Sequence, residues 1–141
     1  MAPREVGSGI FRTSWTSEDH HEVPMATFAQ LRIGPQDDLS RPIVSHVQLT
    51  KDQTIPLHAH EGWTFLTVLG GSFTIVGGDE PYVPGDVRIM EPNIDYELVP
   101  GPDGVTFLEF FETSTAMRQP TFANPNDPRL AAQFASPPPP D

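Results

Sequence analysis

Short apolar runs, most of them bounded by glycine or proline turns, fill the middle of the sequence and constrain its fold more than any other feature. In the run 43–49, residues 43, 45, 47 and 49 share one face and residues 44, 46 and 48 share the other, with the period of two of a half-buried strand. Further runs cover 64–69, 72–76, 87–90 and 105–111, and none sustains apolar residues at helical spacing. Several short strands of this kind predict an all-β, antiparallel sandwich or barrel.

Turn signals between the runs support that prediction. Gly77-Gly78-Asp79 is typical of a hairpin, and Pro84-Gly85-Asp86 is typical of a turn ahead of the strand 87–90. Residues 101–104, with the sequence Gly-Pro-Asp-Gly, predict a further turn that leads into the strand 105–111. The chain of 141 residues is long enough for one self-sufficient core.

Composition divides the chain into three parts. Residues 1–42 are predicted to form an N-terminal arm with the first strands, 43–112 the core of the barrel, and 113–141 a proline-rich C-terminal extension. In the extension, Asp127 as N-cap and Pro128 at the first helical position predict a short helix over 127–134. The last six residues, Ser-Pro-Pro-Pro-Pro-Asp, predict an extended or disordered tail.

Charge and cysteine content narrow the classes of function. A total of 19 acidic against 8 basic residues gives a net charge of −11, which disfavours nucleic acid as a partner because phosphate binding needs clustered Lys and Arg. A sequence without cysteine has no disulfide, thiolate metal site or cysteine nucleophile. No apolar segment is long enough for a membrane helix and no signal peptide is visible, so we expect a soluble cytoplasmic domain with no membrane partner.

The sequence Pro56-Leu57-His58-Ala59-His60 carries the clearest chemical signal. In a strand, residues i and i+2 share a face, so His58 and His60 present two imidazoles to one side. Imidazole is a common metal ligand and also a general acid or base near neutral pH. The pair therefore predicts either a metal site or an acid–base pair.

The surroundings of this pair resemble the cupin superfamily, a group of small antiparallel jelly-roll barrels. The first cupin motif runs G-x5-H-x-H-x3-E-x6-G, and His58, His60 and Gly71 fall on its two histidines and its closing glycine. The second motif runs G-x5-P-x-G-x2-H-x3-N, and Gly85 with Asp86 fits its opening. The resemblance covers about residues 43–112 and implies a cupin-type β-barrel with the two histidines inside it.

Two motif positions depart from the family. Thr64 stands where the first motif has its glutamate, and Tyr96 stands where the second motif has its histidine. Metal-binding cupins use three histidines and a glutamate, so the resemblance implies a divalent metal (Fe, Zn, Ni or Mn) on His58 and His60 with an incomplete ligand set. The alternative is a metal-free pocket in which the histidines transfer protons and Tyr96 donates a hydrogen bond to an oxyanion.

Further side chains are candidates for lining a substrate pocket: Trp63, Thr64, Phe73, Arg88, Phe107 and Glu109. Arg88 either binds a carboxylate or enolate from inside the barrel or, as the simpler expectation, forms a salt bridge on the surface. Glu109 lies among aromatic residues and is either an edge carboxylate or a buried acid. His46 occupies the polar phase of its strand and is expected outside the barrel, and a solvated turn is expected for His20 and His21.

The resemblance and these residues together predict a small-molecule enzyme. It is expected to act on a carbonyl-containing, partly hydrophobic substrate by acid–base chemistry of isomerase, cyclase, decarboxylase or lyase type, with His58, His60 and Tyr96 as catalytic residues. Two alternatives stay open, an iron-dependent dioxygenase and a non-catalytic binding or sensor barrel. Because such barrels often pair through an apolar outer sheet, we expect a homodimer.

Overall fold

The structure is a computed structural model of the chain, and it describes residues 4–23, 25–32, 38–78, 80–114 and 121–128. Its strands are β1 Arg4–Gly7, β2 Ile10–Arg12, β3 His21–Val23, β4 Ala26–Arg32, β5 Ile43–Leu49, β6 Ile55–Ala59, β7 Thr64–Ile75, β8 Val87–Met90, β9 Tyr96–Phe111 and β10 Thr121–Phe122. A single turn of 3-10 helix covers Ser17–Asp19. The prediction of an all-β, antiparallel fold is confirmed.

One antiparallel sheet of eight strands surrounds the core, and β1 and β2 form a separate hairpin. Neighbouring strands follow the order β10-β6-β9-β5-β4-β3, and β7 pairs with both β8 and β9. The long strands β7 and β9 pair along nearly their whole length, from Thr64 opposite Phe111 to Ile75 opposite Leu98. On its other edge β9 pairs first with β6 and then with β5, so this one strand joins the two halves of the sheet.

The predicted turn at 101–104 is wrong, because β9 runs through these residues without a break. The runs 64–69 and 72–76 likewise belong mostly to one strand, in which the register with β9 shifts on either side of Gly71. Gly71 and Gly104 have φ angles of +67° and +75°, and a Cβ on Gly71 would collide with the carbonyl oxygen of Gly104. Glycine at both positions lets the two backbones bend together, so a turn-like sequence produces a bulge within a long strand.

Alternate residues of the central strands point into the barrel and form its core. On β5 the burial pattern follows the predicted phase, since Ile43, Ser45 and Leu49 are buried. The fully enclosed apolar side chains are Leu66, Phe73, Leu98 and Phe107. The ring of Tyr96 packs in the same core, so the candidate site described below rests directly on the packed interior.

The outer face of the sheet carries a row of apolar side chains. Ile89 lies opposite Phe65, Phe65 lies opposite Phe110, and Phe110 lies opposite Val44. We refer to these four residues as the outer apolar row. Ile89 is 62 % exposed, and Phe65 and Phe110 are each 46 % exposed, so the row presents apolar surface to solvent.

Two sequence predictions concern the ends of the chain and the membrane. Most of the predicted helix over 127–134 and the whole proline-rich tail lie outside the described residues. In the described ranges we find no helix whose length and apolar character suit it to crossing a membrane.

Candidate active site

Strand β6 places two imidazoles inside the barrel. Leu57 is 42 % exposed, whereas His58 on the next residue is only 3 % exposed. His60 follows the strand directly and is also buried. Because these histidines are two residues apart on an extended backbone, both rings point inward, and they meet edge to face with centroids 5.0 Å apart.

Tyr96 completes a group of three polar rings. It is the first residue of β9 and lies opposite His58 in the register of β6 and β9. Its ring centroid is 4.3 Å from that of His58, and its hydroxyl oxygen is 3.4 Å from Nε2 of His60. The structure therefore brings the three predicted catalytic side chains together, while their catalytic roles stay a prediction.

The backbone of Pro56 fixes the orientation of His58. Nδ1 of His58 lies 2.6 Å from the carbonyl oxygen of Pro56, so we assign the ring hydrogen to Nδ1 as donor and the free lone pair to Nε2. Burial, and then the neighbouring His60, lower the pKa of His58 from 6.5 to about 4. The ring is therefore neutral at pH 7, and its Nε2 can accept a proton as a weaker base than an imidazole in water.

Tyr96 has the properties of a hydrogen-bond donor. Burial, and then the carboxylate of Glu109, raise the pKa of Tyr96 above its ordinary value of 10.0. The phenol therefore stays protonated near neutral pH. Since a tyrosine binds metal well only as a phenolate, its hydroxyl is suited to donating a hydrogen bond to a substrate oxygen.

Arg88 lies inside the barrel, and the expectation of a surface salt bridge is wrong. On the short strand β8, Arg88 and Met90 are buried while Val87 and Ile89 are exposed, so residue 88 belongs to the inward phase. A four-residue strand gives too little alternation to fix that phase from sequence, because its apolar residues occupy both faces.

A buried ion pair joins Arg88 to Glu109. Nη2 of Arg88 donates to Oε2 of Glu109 at 2.5 Å and to Oγ1 of Thr64 at 3.1 Å. The guanidinium carbon lies 4.7 Å from the centroid of the Tyr96 ring. Burial by itself lowers the pKa of Arg88, but the charge of Glu109 and the contact with Tyr96 outweigh it and raise the pKa, so Arg88 is charged.

Of the six predicted pocket residues, Thr64, Arg88 and Glu109 gather at this site and the other three do not. Trp63 is 40 % exposed, because the inward phase of β7 begins at Thr64 and leaves the preceding side chain at the rim. Phe73 and Phe107 are fully buried and pack in the hydrophobic core, with ring centroids 6.2 Å apart. We assign these two phenylalanines to the core.

Two aromatic neighbours of the histidines were missed in the sequence. The ring of Phe111 lies 5.1 Å from that of His60, and the ring of Phe122 lies 5.5 Å from that of His58. Phe111 shares the inward phase of Glu109 on β9, so strand periodicity could have identified it. Phe122 belongs to the two-residue strand β10, which carries no periodic signal.

A second histidine pair lies on the outside of the barrel, as predicted for His46. Nε2 of His20 is 2.9 Å from Nδ1 of His46, and the ring of Trp15 is 5.6 Å from that of His46. Nδ1 of His20 is 2.9 Å from the carbonyl oxygen of Thr16. The expectation of a solvated turn is wrong for His20, because this residue ties the N-terminal arm to β5.

The residues present do not make up a full metal site. In the part of the chain that the structure describes, no three His, Cys, Asp or Glu side chains are placed to hold one metal ion. The two motif positions beyond His58 and His60 hold a protonated phenol and a threonine hydroxyl, both poor ligands. The guanidinium of Arg88 adds a positive charge that repels a cation. The donor set therefore fits a divalent metal poorly.

Comparison with solved structures identifies the fold. The chain superposes on the polyketide cyclase RemF from Streptomyces resistomycificus with a TM-score of 0.63 and 19 % identity, covering 86 % of this chain and 98 % of RemF. It superposes on oxalate decarboxylase from Bacillus subtilis, a protein with Mn(II) centres, with a TM-score of 0.62 and 13 % identity, covering 77 % of this chain and 32 % of that chain. No family model matches the sequence, and no curated protein does.

A third match is a chain in the crystal structure of Rhodobacter sphaeroides SigE in complex with the anti-sigma ChrR. The TM-score is 0.51 at 21 % identity, covering 61 % of this chain and 44 % of that one. The chain thus spans less than half the length of two of these three relatives. Together with an RmlC-like cupin protein from Ralstonia eutropha that also matches, they show that this chain has the cupin fold.

Proposed function

We propose that this protein is a cupin-fold enzyme that transfers protons on a small, partly hydrophobic carbonyl compound. The observation that carries the proposal is the convergence of His58, His60 and Tyr96 inside the barrel, with the lone pair of His58 freed by its bond to Pro56. A neutral base beside a protonated phenol is a pairing that can catalyse the enolisation of a carbonyl compound.

The proposed step uses these groups as follows. Nε2 of His58 takes the proton from the carbon next to the carbonyl, and the C–H electron pair becomes the C=C bond of an enolate. The carbonyl π pair moves to oxygen, to which the hydroxyl of Tyr96 donates a hydrogen bond. With a β,γ-unsaturated substrate the enolate is a dienolate, and return of the proton from His58 to its γ-carbon completes an isomerisation. Attack of the enolate carbon on a second carbonyl of the same substrate forms a ring and an alkoxide, and transfer of the proton from His58 to that alkoxide completes a cyclisation.

Cyclisation, one of the proposed reaction types, is also the activity in the name of one matched protein. RemF is a polyketide cyclase, and the superposition covers nearly all of it as well as most of this chain. The oxalate decarboxylase is matched over about a third of its length. At these identities the likeness carries the fold alone, so the reaction type rests on the site.

Proton exchange provides a test that needs no knowledge of the natural substrate. The protein is incubated in D2O with a panel of ketones and 1,3-dicarbonyl compounds, and NMR measures deuterium entering the carbon next to the carbonyl. We expect His58→Ala to lower the exchange rate roughly 100-fold or more, and Tyr96→Phe roughly tenfold or more. His46→Ala is the matched control, because it removes an imidazole outside the barrel, and it should stay within about twofold of wild type.

Two other functions predict different experimental results. A metal-dependent enzyme is favoured by the Mn(II) centres of the oxalate decarboxylase, and it requires stoichiometric metal in protein purified without a histidine tag. A sensor is favoured by the match to the SigE–ChrR complex, and it requires ligand binding without turnover. If neither His58→Ala nor Tyr96→Phe alters exchange while ligand still binds, catalysis by this site is wrong.

A further inference from the structure

The buried guanidinium of Arg88 has more hydrogen-bond donors than its surroundings use. Arg88 is 3 % exposed, and a guanidinium carries five N–H hydrogens. Glu109 and Thr64 accept from Nη2 alone. Nε and Nη1 are buried and have no partner at full hydrogen-bond distance in the described part of the chain, and the Tyr96 hydroxyl interacts only weakly with the guanidinium. An unpaired buried donor is costly, and more so on a charged group, so native structures supply an acceptor from protein, water or ligand.

The unpaired donors lie beside the proposed acid–base groups. The guanidinium sits over the ring of Tyr96, the same ring that contacts His58 at a centroid distance of 4.3 Å. Arg88 is a residue of β8, His58 is a residue of β6, and His60 directly follows β6. Arg88 and His58 therefore contact the same ring, and we place the substrate carbon toward His58 and the substrate oxygen toward Tyr96 and Arg88.

The charges in the site determine which kind of oxygen fits there. Arg88 and Glu109 together carry no net charge, and His58 is neutral. A carboxylate ligand would add a second buried negative charge beside Glu109, which is unfavourable unless a further partner compensates it. An uncharged carbonyl oxygen enters without that penalty.

The reaction itself keeps the site neutral. When a proton moves from the substrate carbon to His58, the imidazole becomes positive as the substrate oxygen becomes negative. The site gains no net charge, and a fixed cation stands where the oxygen charge develops. In a metal-binding cupin a divalent ion is available for that purpose, and here the donor set fits such an ion poorly.

We infer that the site takes an uncharged, enolisable carbonyl compound and discriminates against carboxylates, with the unpaired N–H hydrogens of Arg88 binding the substrate oxygen in place of a metal ion. This inference rests on the proposed function and adds to it the substrate class. It also decides between the two ligands that the sequence left open for Arg88, in favour of the enolate over the carboxylate.

Binding of acetylacetone and of acetate to the wild-type protein tests the inference. Acetylacetone is a neutral, enolisable 1,3-dicarbonyl compound, and acetate is a carboxylate small enough to enter the same space. NMR follows the Nε–H signal of Arg88 during each titration. We expect acetylacetone to shift that signal and to bind at least tenfold more tightly than acetate. Equal or tighter binding of acetate, or no shift with either probe, overturns the inference.

Variants at the ion pair provide the second arm. The double change Arg88→Gln with Glu109→Gln removes both charges at similar size and leaves no buried charge unpaired. We expect it to weaken acetylacetone binding at least tenfold, and Arg88→Lys to retain part of the affinity. Wild-type affinity in the double variant, with a native circular dichroism spectrum, contradicts the role of Arg88. If the double variant does not fold, the wild-type Nε–H titration decides alone.

The two proposals fail in different ways. His58→Ala should keep acetylacetone affinity within about threefold of wild type while proton exchange is lost. Suppose that proton exchange persists in His58→Ala and that acetylacetone shifts the Nε–H signal of Arg88. The proposed function is then wrong, and the binding role of Arg88 stands. If proton exchange depends on His58 but acetylacetone affinity does not depend on Arg88, the inference is wrong and the proposed function stands.

Discussion

The two histidine pairs in this molecule differ in the hydrogen-bond partners of their ring nitrogens. In the outer pair, His20 and His46 are hydrogen-bonded directly to each other, with 2.9 Å between ring nitrogens. In the inner pair, Nδ1 of His58 bonds to the backbone of Pro56 and Nε2 of His60 lies 3.4 Å from the Tyr96 hydroxyl, so each ring has a partner outside the pair. The same residue type thus fastens an arm outside the barrel and offers a free base within it.

The surroundings of the pairs differ as much as their bonding. The inner pair lies beside a charged, buried ion pair, whereas the outer pair has the indole of Trp15 as a neighbour. Burial in the barrel lowers the pKa of His58 to about 4, and the half-buried position of His46 lowers its pKa in the same direction. Fixed partners and burial, and not histidine pairing as such, therefore distinguish the candidate site from the outer pair.

The largest expected effect comes from breaking the inner ion pair. Arg88→Met leaves the carboxylate of Glu109 buried without its partner, which should lower the free energy of unfolding by about 3–5 kcal/mol. Arg41→Met, at the exposed pair with Asp38, should change it by less than about 1 kcal/mol. Urea unfolding at pH 7 measures both. A loss below about 1 kcal/mol in Arg88→Met would show that the interior is open to water.

The next effect is the dependence of stability on pH that His58 imposes. Between its folded pKa of about 4 and its ordinary value of 6.5, the unfolded chain binds a proton that folded His58 does not, so acid favours unfolding. The stability that this group contributes is fully present above pH 6.5 and is lost as the pH falls to about 4, an amount of about 3 kcal/mol.

Urea unfolding of wild type and His58→Gln at pH 7, 5.5 and 4 isolates the contribution of His58 to the pH dependence of stability, because the carboxylates and the other histidines are common to both proteins. The wild type should lose about 3 kcal/mol more than the variant across that range. His46→Gln is the matched control on the outer pair. It should change the dependence of the free energy of unfolding on pH less than His58→Gln does. If the free energies of unfolding of wild type and His58→Gln change in parallel with pH, His58 titrates normally in the folded protein.

The sequence was sufficient to predict the barrel and the inner pair, because both depend on local rules. Strand alternation fixed the inward phase of β5, and the i, i+2 spacing placed His58 and His60 on one face. The cupin motif then aligned Tyr96 with a ligand position, and the structure places Tyr96 opposite His58. Each of these inferences needed only the residues of one or two strands.

The Arg88–Glu109 ion pair and the outer histidine pair could not be predicted from local sequence patterns, because each joins elements that are distant in the chain. Arg88 and Glu109 are 21 residues apart, and His20 and His46 are 26 apart. Whether two such side chains meet depends on strand register and on how the barrel closes, which local periodicity does not encode. The bend at Gly71 and Gly104 was missed for the same reason, since it arises where two long strands approach.

The outer apolar row leads to a smaller effect, on association. We expect wild type to form a homodimer through this face, and Phe65→Lys to weaken association at least tenfold by placing a charge in the apolar contact. Light scattering at two protein concentrations measures the change. Val76→Lys is the control, because Val76 is 60 % exposed but lies beyond the end of β7. A monomeric wild type at the higher concentration contradicts the dimer.

The smallest expected effect is loss of the outer histidine bond. His46→Ala removes one neutral hydrogen bond and a ring contact with Trp15, so the free energy of unfolding should fall by about 1 kcal/mol or less. The consequence should be local, with faster amide hydrogen exchange in residues 15–20 and unchanged exchange in β6 and β9. Mass spectrometry of peptides measures both regions in one experiment. Faster exchange around His58 in this variant would show that the two pairs are coupled, and that the barrel interior depends on the arm for its rigidity.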